Sequence, residues 1–285
     1  MTRREPSSRS LWQGSALDGA ASGGRALVLV GTAVASGFFL LPVFGLLGRV
    51  EPNRVAAELL RPEVAKALGL SLVVSTGAVV IGLSLALPLA FALARGRFRG
   101  RRLLRALVAL PMVLPPVVAG VGLLAALGRR GLFGPLLEAL GVELAFSTAG
   151  ALLAVTFVSA PFLVLTLEAG LLALDPRLEQ AAATLGASPL RVLGTVTLPG
   201  LWPSIAAGAS LAFARALGEF GATITFAGNY EGVTQTLPLL VYQTLQRSPE
   251  GAVLLSLLLL LVALLVLVVA RFSFGASLRI GSRST

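Results

Sequence analysis

No histidine and no cysteine occur among the 285 residues, and lysine occurs once, as Lys66. Together these absences remove imidazole general bases, thiol nucleophiles, disulfides and the usual zinc ligands. A phosphate-cradling loop of the form GxxxxGK[ST] needs lysine directly after a glycine, whereas Lys66 follows Ala65. The chain is therefore expected not to hydrolyse ATP by itself. Charge is scarce as well, at 13% of residues, while hydrophobic residues make up 56% and the mean hydropathy is +0.90. A soluble domain of this length cannot hide so much apolar surface in one core, so the chain reads as an integral membrane protein.

A hydrocarbon layer about 30 Å thick needs roughly 20 helical residues. Uncharged runs at Ala26–Gly48, Ala67–Ala94, Ala106–Gly128, Leu144–Leu167 and Gly251–Ala270 meet that length, and a sixth near Pro203–Ala227 carries Arg215 and Glu219. These runs are apolar on every face, where a membrane strand would alternate over ten residues. The expected fold is all-α, a polytopic membrane protein with six transmembrane helices.

Fifteen of the 23 basic residues fall on one side of such a bundle, the side of both termini and of the 168–202 loop. The positive-inside rule makes that side cytoplasmic and the chain a multi-pass protein of the inner (plasma) membrane. The arginines at 95–105 are read as a topology anchor facing anionic lipid, and nucleic acid is not an expected partner despite the net charge of +10. Residues 1–25, rich in Ser, Gly and Arg, are expected to be a mobile cytoplasmic tail. The following apolar run exceeds the core of a cleaved signal peptide and is expected to stay as the first span. Residues 26–270 would form the transmembrane domain and 271–285 a second cytoplasmic tail.

The 168–202 loop has its own architecture. Asp175 before Pro176 is an N-cap followed by a first-turn proline, and Gly186 is placed to end the helix about ten residues later. Leu178, Ala181, Ala182 and Leu185 make one small apolar face, with Glu179 and Ala183 pointing elsewhere. Ser188 and Pro189 repeat the start signal for a second short helix, expected to stop before Pro199. This helix–glycine–helix elbow is either a lever docked by a partner or an ordinary amphipathic interfacial helix.

The segment EQAAATLGASPLRVLGTVTLP resembles the EAA loop of ABC importer permeases, in which EAA is followed by three residues, Gly, nine residues, Ile, any residue and Leu-Pro. Gln180, Ala181 and Ala182 occupy the EAA positions, Gly186 the glycine, and Val196, Leu198 and Pro199 the end of the motif. Gln180 replaces the glutamate and Val196 the isoleucine, with Glu179 one position earlier. ARALGEFGATITFAGN (Ala214–Asn229) and TQTLPLLVYQTL (Thr234–Leu245) are similar to permeases of molybdate importers, the first also to sulfate permeases.

The resemblance implies the ABC importer permease fold with both termini cytoplasmic. It also implies a docking loop, Glu179, Gln180, Ala181, Ala182, Leu185, Gly186, Leu198 and Pro199, seated on a separate ABC ATPase subunit present in two copies. Further implied are a second permease copy in a homodimer, an extracytoplasmic oxyanion-binding protein, no cofactor on this chain, and ATP with Mg on the partner subunit. The chain would then be a transport subunit and not an enzyme, moving an oxyanion, molybdate or alternatively sulfate, thiosulfate or tungstate.

Arg215 and Glu219 lie at i, i+4 on one expected helix face and can neutralise each other inside the membrane. The pair is either structural or faces a polar pathway where Arg215 meets a passing oxyanion. Gly208, Gly218 and Gly221 would permit close packing of that span. An autonomous channel or ion-coupled carrier is a competing class, but coupling ions usually call for ionisable groups on several spans, and only one span carries any. A membrane enzyme is disfavoured by the missing His and Cys.

Overall fold

The computed structural model describes the backbone of residues 21–281 and the side chains of residues 28–268. The chain divides after Val50 into two units. The first contains one long helix, α1 (Ala21–Leu47), with Pro42 inside it. The second runs from Glu51 through α2 (Pro52–Leu59), α3 (Pro62–Arg95), α4 (Arg101–Val113), α5 (Pro116–Leu127), α6 (Gly134–Ala139) and α7 (Thr148–Ala173). It continues with α8 (Pro176–Thr184), α9 (Pro189–Val192), α10 (Leu198–Leu217), α11 (Gly221–Phe226), α12 (Leu237–Leu245) and α13 (Pro249–Gly281). Six of these helices open on proline, whose fixed φ suits a first helical residue and whose missing N–H has no helical partner there anyway.

Among the described residues, five helices are long and apolar enough to cross a membrane, and α4 with α5 makes a sixth if that bent pair counts as one span. The single span expected over Ala106–Gly128 is therefore broken, with a bend of 115° between its halves. The cause is the Pro115–Pro116 pair. A proline pushes the residue before it out of the helical region, and Leu114 and Pro115 sit at ψ 131° and 133°.

Other span ends move as well. The expected fourth span begins at Thr148, where the Ser147 hydroxyl accepts from Gly150 N at 3.1 Å, and it runs on to Ala173, so Glu168 belongs to a helix and not to the loop after it. The expected Pro203–Ala227 span ends at Leu217, and α11 is a separate helix. Of the expected tails, residues 1–20 and 282–285 lie outside the described residues, while α1 already includes 21–25 and α13 includes 271–281.

The bundle is built around α3, α7 and α10. Ala86, Ala90 and Leu93 of α3 meet Leu163, Val164, Leu167 and Leu171 of α7 and Leu201 and Ala212 of α10, all buried. Small residues set this closeness, since helices in lipid gain by packing and not by escaping water. A β-carbon on Gly120 of α5 would stand 2.7 Å from Thr225 of α11, and one on Gly221 would stand 2.8 Å from Pro116, so these two helices approach nearly backbone to backbone. Gly208 packs against Thr166 in the same way, but Gly218 meets no other helix and serves only as the end of α10.

Ion pairs fix two further joints. Arg105 of α4 bonds through Nε at 3.3 Å and through Nη2 to the carboxylate of Glu168, which is 4% exposed on α7. Arg61, between α2 and α3, bonds Glu58 at 2.9 Å and also pairs with Glu63; the Glu58 hydrogen bond, followed by the field of Glu63, raises its pKa above the ordinary arginine value.

Candidate functional site

Two places carry the expected functional residues, at different depths of the bundle. The first is the elbow that follows α7. Asp175 caps α8, its Oδ1 accepting from Arg177 N at 2.9 Å, and Ser188 caps α9, its Oγ accepting from Arg191 N at 3.4 Å. Gly186 stands between them at φ +85°, a left-handed conformation that costs a side-chain-bearing residue about 1–2 kcal/mol. Its N–H reaches Ala183 O at 3.0 Å and Ala187 N reaches Ala182 O at 3.1 Å, which is the paired closure of a Schellman motif. The N–H groups of Leu185, Gly186 and Ala187 are thus all bonded within the turn.

That closure leaves two faces. Pro176, Glu179, Gln180 and Ala183 turn toward Phe91 of α3 and Thr197, around a groove of about 410 Å³. Leu178, Ala181 and Leu185 turn outward, and Leu185 and Leu190 are 89% and 80% exposed. Ala182 is half-buried at the edge. The outward face is the small apolar one read from the spacing.

Glu179 lies on the inner face. Its Oε2 stands 3.5 Å from Arg95 Nη2 at the end of α3, and its Oε1 accepts from the buried Thr197 hydroxyl at 2.9 Å. It fastens the elbow to the bundle, and Gln180, in the motif's acidic position, carries no ion pair. The sequence hid this partner because Arg95 stood among five neighbouring arginines.

The second elbow helix was expected to stop before Pro199. Instead α9 passes through a π-helical stretch, Leu193–Thr197, directly into α10, giving one continuous helical run from Pro189 to Leu217. In that stretch Leu198 N bonds Leu193 O, five residues back. The wider turn is placed where Pro199 offers no N–H and would crowd the carbonyl four residues before it. Leu198 and Pro199 thus start α10 with no break.

The second place is the end of α10. Arg215 Nη1 stands 2.6 Å from Glu219 Oε2, and the Glu219 side chain is 1% exposed against 29% for Arg215. The two were expected on one helix, but Glu219 lies past the helix end, and its other oxygen accepts from Ala222 N at 2.7 Å, at the start of α11. One carboxylate therefore holds both sides of the break.

Polar residues that the sequence reading had not singled out gather just beyond. Gln235 Nε2 donates to Gln243 Oε1, Asn229 Nδ2 reaches the same oxygen at 3.5 Å, and Ser71 of α3 accepts from Leu237 N at 2.7 Å. The Phe220 and Tyr242 rings, centroids 5.0 Å apart, join this group to the Arg215–Glu219 break.

Residues 78–278 match the family described as binding-protein-dependent transport system inner membrane component. The chain is 48% identical over 244 residues to the Molybdenum transport system permease protein ModB of Mycobacterium tuberculosis, covering 85% of this chain and 92% of that one. It is 38% identical over 167 residues to the Probable sulfate transport system permease protein cysT of Chlorokybus atmophyticus, 58% of each chain. In fold it is similar to a chain of a bacterial alginate ABC transporter in complex with alginate pentasaccharide-bound periplasmic protein, with a TM-score of 0.69 and 17% identity over 87% of this chain and 93% of that one.

Proposed function

The chain belongs to the family of binding-protein-dependent transport system inner membrane components, a multi-pass transport subunit and not an enzyme, and from that premise we propose that it is the permease of an ABC importer carrying molybdate into the cytoplasm. The feature that supports this most directly is the elbow, an outward apolar face closed at Gly186 and joined to α10 by unbroken helix. The length-wide match to a relative named for molybdenum, against a shorter match to one named for sulfate, favours molybdate, with sulfate as the second reading.

In this reading the elbow end is cytoplasmic, and Ala181, Leu185, Gly186 and the exposed Leu190 seat in a groove of the ATPase subunit. Gln180 and Ala182 border that contact. Glu179 acts from behind, holding α8 against Arg95 and Thr197 so that force on the elbow reaches α3 and α10 together. ATP and Mg belong to the ATPase, in two copies; two permease copies form a homodimer; and an extracytoplasmic binding protein delivers the oxyanion at the far end. ATP-driven closure of the ATPase pair moves the elbows and alternates access across the bundle. Arg215, neutralised on one side by Glu219, faces the pathway with enough charge to admit a dianion and too little to retain it.

Proteoliposomes holding permease and ATPase, supplied with loaded binding protein outside and ATP inside, should accumulate molybdate. Uptake by the permease without its ATPase would overturn the reading, and a preference for sulfate would transfer it to the second one.

A further inference from the structure

No acidic residue occurs between Glu63 and Glu138, while residues 95–105 hold six arginines and no lysine. The structure divides these arginines by what they meet. Arg95 and Arg105 are held by acids on either side of the elbow's root, Arg95 by Glu179 of α8 at 3.5 Å and Arg105 Nε by Glu168 of α7 at 3.3 Å. Arg97, Arg99 and Arg102 are exposed, with Arg101 half-buried among them. Glu168 lies five residues before the end of α7, about 7.5 Å along that helix, so the arginine segment crosses the elbow end of the bundle.

The helix that follows has two faces. Leu104 and Val108 pack against the core of α3, α7 and α10, and Pro111 is buried. On the other side Leu103, Leu107, Leu110 and Val113 form an exposed stripe at helical spacing. Since α4 is turned 115° from α5, it does not continue that helix along the bundle. An apolar stripe that begins at exposed arginines is the pattern of a helix lying in the headgroup layer, leucines toward the acyl chains and guanidinium groups toward phosphate. Two further features point the same way. Arginine, unlike lysine, presents a planar fork that bonds phosphate oxygens in pairs. Arg101 and Arg102 also stand in the first turn of α4, which holds no acid and no capping side chain, and cations there oppose the helix dipole unless an anion meets them.

We propose that residues 97–113 form a docking surface for anionic phospholipid of the cytoplasmic leaflet, with Arg97, Arg99 and Arg102 on the headgroup phosphates and Leu103, Leu107 and Leu110 against the acyl chains; this rests on the reading above that the elbow end is cytoplasmic. Charge selects this occupant. A second copy of the chain seated on the same patch would set arginine against arginine, whereas an anionic headgroup complements a segment that has no acid of its own. Arg95 and Arg105 flank the exposed arginines and hold Glu179 and Glu168, so a lipid that fixes this surface also steadies the root of the elbow. Anionic lipid thereby sets how tightly ATP hydrolysis is coupled to transport.

The test reconstitutes the assembled permease and ATPase in vesicles of phosphatidylcholine with and without phosphatidylglycerol, with loaded binding protein outside and ATP inside. The wild type should consume several-fold less ATP per molybdate moved when phosphatidylglycerol is present. Native mass spectrometry should find phosphatidylglycerol retained by the permease. Arg97→Gln, Arg99→Gln and Arg102→Gln together should weaken that retention on the order of a hundredfold, from about fivefold per arginine lost at an anionic surface. This triple variant should couple in either vesicle as the wild type does in phosphatidylcholine alone. The lipid comparison alters no residue, so it decides the matter even where the variant fails to insert. Equal coupling by the wild type in both vesicles would overturn the proposal, as would unchanged retention in the variant. Loss of ATPase co-purification or of the permease pair in detergent would overturn it too, assigning the arginines to a protein contact. Failure to move molybdate or sulfate in any vesicle would instead sink the importer reading, and retention by the permease alone would still test the lipid surface.

Discussion

At the elbow, the N–H groups of Leu185, Gly186 and Ala187 find partners within a few residues, and Leu185 and Leu190 are left exposed. Around α12 the balance is reversed: Leu237, Leu239 and Leu240 are buried, and among the described residues the Thr223 and Thr236 hydroxyls and the Asn229 carbonyl oxygen are left without partners. A surface that must meet another protein repeatedly is best fully satisfied on its own, so that docking and release expose nothing costly. The chain uses Asp, Ser and Gly for local closure in one region and leaves Thr and Asn atoms unmet in the other.

The comparison can be broken most sharply at the junction between the two regions. Arg215→Ala leaves Glu219 buried with no cation and should cost about 3–5 kcal/mol, seen as lower folded yield and lower thermal stability in detergent. Removing Glu219 as well should restore folding. If the double variant also recovers uptake, the pair serves only the structure; if it folds but fails to transport, Arg215 serves the pathway.

A smaller effect is expected from Gly186→Leu. The left-handed turn strains by about 1–2 kcal/mol, which leaves membrane insertion intact but displaces Leu185 and Leu190 from their outward positions. Co-purification of the ATPase should drop at least tenfold, and unchanged recovery would count against docking at this face.

The smallest effect is expected from Thr197→Val, which removes one hydrogen bond to Glu179, worth about 1 kcal/mol. Docking should persist while ATP hydrolysis and uptake lose part of their coupling, measured as ATP consumed per molybdate moved. An unaltered ratio would show that Glu179 holds the elbow in place without carrying force.

The elbow was legible because its signals are local: Asp175-Pro176, Gly186 and Ser188-Pro189 each act on their nearest backbone neighbours. The long spans were legible for the same reason, through apolar length alone. The break inside 106–128 had a local cause in Pro115–Pro116, but the apolar run continues through it, and length outweighed the proline signal. Glu168 was placed in a loop because a lone carboxylate reads as solvated; only its partner Arg105, 63 residues away, makes burial affordable. Asn229, Gln235 and Gln243 lay within the two segments that carried the resemblance, but nothing local joins them, and only the fold brings them around one oxygen.

The absence of a loop between Pro189 and Leu217 has a mechanical consequence. From Val192 to Arg215 the helical run extends about 35 Å, so each degree of swing about its lower end carries the guanidinium sideways by about 0.6 Å. Glu219 lies past the end of that run, so the ion pair links the shaft to the start of α11. In the proposed reading, the position of the Arg215 charge is thus geared to the angle of the elbow.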